Sequence, residues 1–512
     1  MRVRVIGFYV IFIMFLSYNC VIHNSSSVKA AEMNEVMNYD IKGNEVYVTG
    51  LKGRVSELIV PATIDGKPVV SIKITSDTPV ESELNLSACK DLRELVYQPC
   101  ETGTIEELNL SNLRNLKILC LKGSNISQLN LRGCTGLEEF YAHDTLLENL
   151  DLTSCSNLRV LQFCEISPSN YELDLSGCPN LEVLYFMASG IGKINLENCI
   201  KLKTLDIGGE WNLKELGLSN CRQLVTISLW MINHLERLDA SGCTELQNVN
   251  CVETDVQSLD FSNAGKLYHL NCSGGKIREL NLTGCVNLQE LDVSENQLTR
   301  LEIPDCMIEK LICNDNQIAE LVLGENMPKL KTIICENNRI TSLHIKEYPK
   351  LRSVFCDYNQ LTSLTIDSKL DSLHCRNNQL ETIELKYWEK LESLGCDNNQ
   401  ISGILDLRKC RFLKYLTCSG NRITKIQFSP DTYRSTLQHF NCSNNKIEKL
   451  DISMFSKIGS LYCQKNKIRN IKFGKAKVKE IRCFKNPCYK QQNWRKHIDE
   501  DMIINDGLGW FF

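Results

Sequence analysis

Cysteine is the chemically versatile residue that stands out in this sequence, because the chain of 512 residues contains 26 of them. Thiolates can form disulfides, bind metals or act as nucleophiles. The arrangement argues against all three, because no C-x-x-C motif occurs and histidines do not accompany the cysteines at zinc-ligand spacing. Many cysteines instead recur about every 21 residues, the period of a repeat. We therefore predict reduced thiols that fill an apolar core.

The other candidates for chemistry are equally unpromising. The eight histidines are scattered without an attached nucleophile, and no G-x-S-x-G, H-E-x-x-H or phosphate-binding glycine loop is present. Asn314-Asp315 and Asp397-Asn398 resemble calcium-loop residues, but the Asp/Asn alternation, the glycine and the distal glutamate of such a loop are missing. The sequence therefore predicts no enzyme, no cofactor and no metal site.

A repeat organises these residues. Between Leu288 and Asn486 one phrase returns ten times, as in LQELDVSENQL, with the template L-x-x-L-x-(C/V)-x-x-N-x-(L/I)-x-x-(L/I)-x-(L/I). A buried amide is stable only when its hydrogen bonds are satisfied, so we expect the asparagine at position 9 to bond to the backbone of the adjacent coil. This predicted asparagine ladder comprises Asn296, Asn316, Asn338, Asn359, Asn378, Asn399, Asn421, Asn445, Asn466 and Asn486.

The template resembles the leucine-rich repeat superfamily, and its cysteine with a second L-x-L resembles the bacterial IRREKO type. The phrase IVPATIDGKPVVSI, which begins at Ile59, is similar to a unit of BspA-like surface proteins. The resemblance and the period together predict a β-rich solenoid of about 19 coils of ~21 residues. Parallel strands should line the concave face, with short extended or β segments on the opposite face.

Composition changes divide the chain into four parts. Residues 1–30 combine Arg2 and Arg4 with an apolar run, as in a signal peptide; an uncleaved anchor, or lipidation at Cys20, is the alternative. Residues 31–83 are predicted to form a β-rich N-terminal cap, residues 84–486 the repeat array, and residues 487–512 a C-terminal cap or tail. No integral membrane segment is expected after signal cleavage.

Position 5 of each coil should face solvent on the strand side. It is mostly polar, but an apolar stripe with an aromatic residue at position 8 crosses the middle of the array. Such a stripe is a candidate partner-binding site, although β-branched and aromatic residues also simply suit strands. The candidate residues are Ile312, Ile334, Phe355, Tyr358 and His374, with Tyr141 and Tyr185 as a second patch.

These observations predict a function based on binding. Hydrophobic residues make up 43% of the chain and charged residues 23%, enough for a continuous core, and the net charge is −4 without a basic run. Nucleic acid is therefore an unlikely class of partner. The internalin-like and BspA-like resemblance implies a secreted or cell-surface protein that binds a protein partner, in adhesion or host interaction. Glycan binding through the aromatic residues is the alternative.

Overall fold

Parallel β-strands build almost the whole structure. The computed structural model describes residues 33–76, 80–99, 105–148, 150–166, 171–429, 437–491 and 493–504. The predicted signal peptide and the last eight residues of the predicted tail lie outside them. One large sheet contains Met37–Lys42, Glu45–Leu51, Thr63–Ile64, Lys67–Ser76, Glu94–Pro99, Ile118–Ser124, Glu139–Thr145, Val160–Ile166, Val183–Met187, Thr204–Gly208, Thr226–Trp230, Asn248–Val252, His269–Asn271, Glu290–Asp292, Lys310–Ile312, Thr332–Ile334, Ser353–Phe355, Ser372–His374, Ser393–Gly395, Tyr415–Thr417, Leu437–Asn441, Lys457–Tyr462, Lys477–Arg482 and Ile498–Ile504.

Shorter strands form small parallel sheets in the second half of the coils. In the part of the chain that the structure describes, helix is limited to one turn, Met33–Val36, and the 3₁₀ segments Pro487–Gln491 and Asn493–His497. The small sheets contain Val55–Ile59 with Val80–Asn85, Glu107–Asn109 with Gln128–Asn130, Tyr171–Asp174 with Ile191–Asn195, Glu215–Gly217 with Arg237–Asp239, Ser258–Asp260 with Glu279–Asn281, Arg300–Ile303 with Glu320–Leu323, Ser342–Ile345 with Ser363–Ile366 and Glu384–Leu385, Ser402–Asp406 with Arg422–Gln427, and Lys449–Asp451 with Asn470–Lys472.

The strands of the large sheet stack in register from Glu94–Pro99 to Lys477–Arg482. Position 5 of each coil is paired with position 5 of the next, as in Ile334 with Phe355 and Phe355 with His374. About 19 coils follow one another in this way, which is the number predicted from the repeat. The fold is therefore a leucine-rich repeat solenoid, and the predicted fold class is confirmed.

The N-terminal strands depart from the parallel pattern. Met37–Lys42 pairs antiparallel with Glu45–Leu51, and Thr63–Ile64 pairs antiparallel with the start of Lys67–Ser76. The latter strand then joins the parallel sheet through Glu94–Pro99. The boundaries of the predicted cap, array and tail stay predictions.

Leucine and cysteine fill the interior because alternate strand residues point to the same side. In the coil that begins at Leu391, the side chains of Leu391, Leu394 and Cys396 are all buried. Burial raises the pKa of the thiols, for example to about 12 at Cys199, so the uncharged SH form dominates at neutral pH. Some thiols also donate weak hydrogen bonds, as Cys134 does to the carbonyl of Leu110 at 3.1 Å.

The position 9 asparagines join consecutive coils through their side-chain amides. At Asn445, Nδ2 donates to the carbonyl oxygens of Cys418, Cys442 and Ser443 at 2.8, 3.2 and 3.1 Å. Oδ1 accepts the backbone N–H of Ile423 at 3.0 Å. One buried side chain thus satisfies backbone groups of two coils at the point where the chain leaves the strand. The other nine asparagines accept from and donate to the equivalent groups.

Position 8, immediately before the asparagine, lies in the left-handed backbone region. This conformation costs most residues about 1 kcal/mol, and glycine and asparagine tolerate it best. The chain turns here out of the strand, and the side chain is directed away from the core. The residues with positive φ at this position in the asparagine coils are Glu295, Asp315, Asn337, Tyr358, Asn377, Asn398, Gly420, Asn444, Lys465 and Lys485.

The N-terminal coils replace the asparagine with other polar groups. The carboxylate of Glu210 is fully buried and accepts the backbone N–H groups of Ser189 and Ile191 at 2.7 and 3.0 Å. The buried hydroxyls of Ser124 and Thr145 have no hydrogen-bond partner within the described ranges. The connection between coils is therefore less regular in this half.

Asn445 and its exposed neighbour Asn444 provide a matched test of the ladder. We expect Asn445→Ala to lower the free energy of unfolding by about 3 kcal/mol, because it leaves buried backbone groups without partners. Asn444→Gly should change it by less than about 0.5 kcal/mol, since glycine tolerates φ 53. Denaturant unfolding followed by circular dichroism measures both values. Equal effects of the two substitutions would refute the ladder as a source of stability.

The thiols provide a second test. Of the 24 cysteines in the described residues all are free, and Cys120 alone among them is half-buried rather than buried. Among these 24 thiols, we expect only that of Cys120 to react with a disulfide reagent in the folded protein, and to do so slowly because burial raises its pKa. Denaturation without reductant should release nearly all the others. Fewer than half reacting after denaturation would contradict the reduced core.

Candidate functional site

The predicted apolar stripe lies on the outer face of the large sheet. Ile312, Ile334, Phe355 and His374 occupy position 5 of four consecutive coils and are paired in register. All four side chains are half-buried, because each is shielded by its neighbours along the sheet. The rings of Phe355 and His374 meet edge to face with centroids 5.0 Å apart. We call these four residues the central stripe.

Tyr358 lies beside the central stripe at position 8. Its side chain is 62% exposed, and its backbone is left-handed with φ 55. A bulky aromatic residue is unusual in this conformation. The repeat imposes this conformation at position 8 of every asparagine coil, so Tyr358 presents its ring to solvent beside the central stripe.

An ionic network that sequence reasoning missed flanks the stripe at position 7. The Arg376 guanidinium donates to the carboxylates of Asp357 and Asp397, each at 3.1 Å. Ser419 donates its hydroxyl to Asp397 at 2.6 Å, and the guanidinium also reaches the hydroxyl of Thr417 at 3.4 Å. Both carboxylates are buried while the arginine is about one-third exposed. We call Asp357, Arg376 and Asp397 the arginine network.

Glycine at position 5 makes room for this arrangement. A Cβ atom at Gly395 would lie 2.6 Å from the Arg376 guanidinium. The arginine therefore lies over the strand Ser393–Gly395 and reaches Asp397 of the same adjoining coil and the hydroxyl of Thr417 in the coil after it. The only sequence signal for the network was an arginine at position 7 between two aspartates at the same position of the adjoining coils.

Burial and charge set the protonation of this region. Burial raises the pKa of Asp357, which Arg376 opposes. Burial also raises the pKa of Glu336, one coil before, and nearby Asp357 adds to the rise. Burial lowers the pKa of His374 to about 4, with a further contribution from Arg376. His374 is therefore neutral at pH 7, and the region carries more acidic than basic groups.

Two serine-histidine contacts arise from the register of the strands. His374 Nε2 lies 3.1 Å from the Ser393 hydroxyl, and His439 Nδ1 lies 2.6 Å from the Ser460 hydroxyl. Nucleophilic catalysis requires a base with a suitable pKa, oriented by an acid. The other ring nitrogen of His374 faces Arg376 instead, and burial lowers the pKa of both histidines. These contacts are suited to positioning side chains rather than to activating a hydroxyl.

The second predicted patch is less continuous. Tyr141 and Tyr185 lie two coils apart with Gln162 between them. Tyr141 is half-buried and donates its hydroxyl to Glu139 at 2.9 Å, and burial raises its pKa to about 12. Tyr185 donates to the sulfur of Met187 at 3.8 Å. The structure thus brings together the central stripe and Tyr358 but separates the two tyrosines.

Comparisons with known proteins add context for the fold. No protein-family model and no curated protein matches the chain. A functional domain of InlJ from Listeria monocytogenes, described as including a cysteine ladder, is 22% identical over 70% of this chain and 73% of that chain, with a TM-score of 0.42. YopM from Yersinia enterocolitica is 19% identical over 81% and 91%, with a TM-score of 0.39. Values this low carry no information about partner or activity.

Within the described part of the chain no helix has the length and apolar character that crossing a bilayer requires.

Arg376 offers a test of the arginine network. We expect Arg376→Met to lower the free energy of unfolding by about 3 kcal/mol at pH 7, because it leaves two buried carboxylates without their cation. The pKa of Asp357, already raised, should rise further. A carboxyl with a raised folded-state pKa destabilises the fold as the pH rises, so the deficit should shrink from pH 7 to pH 4. Urea unfolding at both pH values measures it.

Arg300 is the matched control for this experiment. It pairs with Glu320 on the second side of the solenoid, where both side chains are more than half exposed. Arg300→Met should cost less than about 1 kcal/mol at either pH. A pH-independent deficit in the Arg376 variant would contradict the assigned role of the carboxylates.

Proposed function

We propose that this protein is a secreted, non-catalytic leucine-rich repeat protein that binds a protein partner through the central stripe and Tyr358. The observation that carries the proposal is the combination of half-buried apolar side chains on consecutive coils with a strained, exposed aromatic residue beside them. Interfaces are typically built around such apolar and aromatic anchors. Secretion follows from the predicted signal peptide, and a role in adhesion or host interaction follows from the resemblance to internalin-like and BspA-like proteins.

The arginine network supports this choice of surface. The guanidinium of Arg376 forms an ion pair with the carboxylate of Asp357 on one side and with that of Asp397 on the other. These charged side chains, which lie next to Phe355 and His374, therefore have little freedom to move. A surface that is ordered before binding loses less conformational entropy when the partner arrives. The network therefore acts as a support for the stripe rather than as its anchor.

The acidic side chains beside the central stripe indicate what kind of partner surface is complementary. Glu336, Asp357 and Asp397 outnumber Arg376 at position 7. A partner that presents a large apolar side chain next to lysine or arginine is complementary to this surface. Association should therefore slow as the ionic strength rises, since salt screens the attraction.

Glycan binding is the alternative that the same surface allows. Tyr358 provides an exposed ring on which a sugar can stack, whereas the hydroxyls of Tyr141 and Tyr185 are already engaged within the protein. A glycan array separates this alternative from protein binding.

A capture experiment tests the proposal. We expect a variant with Ile334→Asp and Phe355→Asp to lose a protein captured by the wild type from host-cell or neighbouring-bacterium extracts, with binding at least about tenfold weaker. Val286→Asp is the control, because Val286 is 53% exposed in the second half of its coil, away from the stripe. Circular dichroism should show that all three proteins fold alike. Equal capture by the stripe variant would overturn the proposed surface.

A further inference from the structure

A cluster of metal-ligating side chains lies on the same face of the sheet, near the N-terminal end. His143 and Asp144 belong to the strand Glu139–Thr145, and Glu165 belongs to the adjoining strand Val160–Ile166. One imidazole nitrogen and one oxygen from each carboxylate all lie within 4.8 Å of one another. Donors that surround one ion at about 2.1 Å are separated by distances within this limit.

Position 8 explains why the two carboxylates meet. Asp144 and Glu165 occupy this left-handed position in consecutive coils, with φ 50 and 53. Both side chains therefore leave the strand in the same direction, one coil apart. One oxygen of each carboxyl group therefore lies within 4.8 Å of the other. Two acidic groups in contact repel each other when both are ionised, and a cation between them removes that repulsion.

The imidazole provides a second, separate observation. Nδ1 of His143 lies 2.7 Å from Asp144 Oδ2, yet it is shielded from solvent and completes no hydrogen bond with any residue that the structure describes. The pair His269 and Glu290 on the same sheet is different, because there Nδ1 makes an ordinary hydrogen bond at 3.0 Å. His143 thus has a nitrogen placed against the carboxylates without a completed hydrogen bond.

We propose that His143, Asp144 and Glu165 form a binding site for a divalent transition-metal ion such as Zn²⁺. Imidazole nitrogen with carboxylate oxygen suits zinc and related ions, whereas calcium prefers oxygen ligands alone. The side chains of His143 and Asp144 are 40% and 46% exposed, so part of the coordination shell faces solvent. Water or a donor group from another molecule completes the shell.

Cobalt is the best probe, because its absorption distinguishes these ligands from the many thiols of the chain. We expect Co²⁺ to bind the folded protein in a saturable manner, with the weak visible bands of nitrogen and oxygen ligands and without an intense thiolate charge-transfer band. Glu165→Gln and His143→Ala should each weaken binding at least about tenfold. Zn²⁺ should compete with Co²⁺ and raise the melting temperature of the wild type, but not of the Glu165→Gln and His143→Ala variants.

His269→Ala is the matched control, because it removes a histidine from a carboxylate pair on the same sheet without touching the cluster. This variant should bind Co²⁺ as the wild type does. Three results would overturn the site: absence of saturable binding, unchanged binding in the Glu165 variant, or a charge-transfer band that assigns the ion to cysteine. Circular dichroism confirms that the exposed substitutions leave the fold intact.

Discussion

The hydrogen bonding of the backbone where each coil leaves the strand is the constraint on which this structure depends. A solenoid turns a corner wherever the chain leaves a strand, and such a corner leaves amide and carbonyl groups in the interior without a strand partner. The position 9 asparagine satisfies these groups with one side chain, which accepts a hydrogen bond from the backbone of one coil and donates hydrogen bonds to carbonyl oxygens of two coils. Stacking, register and the placement of every outward side chain follow from the repetition of this unit.

The same corner determines what the surface can present. Because position 9 points inward and position 8 is left-handed, the side chain at position 8 is directed outward whatever its identity. Backbone geometry rather than packing thus exposes Tyr358 beside the central stripe and brings Asp144 against Glu165. A column of sites that lies outside the core can vary in sequence without altering the scaffold.

Much of the fold could be predicted because it is periodic. The leucines, the cysteines and the ten asparagines appear at fixed spacing, so a single template assigns strands, buried positions and the outward position 5. The left-handed backbone at position 8 is harder to predict from the sequence. Position 8 is asparagine, aspartate or glycine in several coils but tyrosine, lysine or glutamate in others. The arginine network, the serine-histidine contacts and the His143 cluster depend on which side chains of different coils reach one another. Contacts of that kind follow from register and side-chain length, which a template of one coil does not contain.

The asparagine at position 9 occurs in the later coils and is replaced in the earlier ones, which has a consequence for the order in which the chain is synthesised. Coils from Asn296 onward are joined by the asparagine; among the earlier coils Glu210 makes comparable bonds, whereas the buried hydroxyls of Ser124 and Thr145 have no hydrogen-bond partner among the described residues. Each repeat contacts only its neighbours, so an array grows coil by coil, and synthesis releases the N-terminal end first. The first half of this chain therefore emerges before the half in which asparagine side chains join the coils.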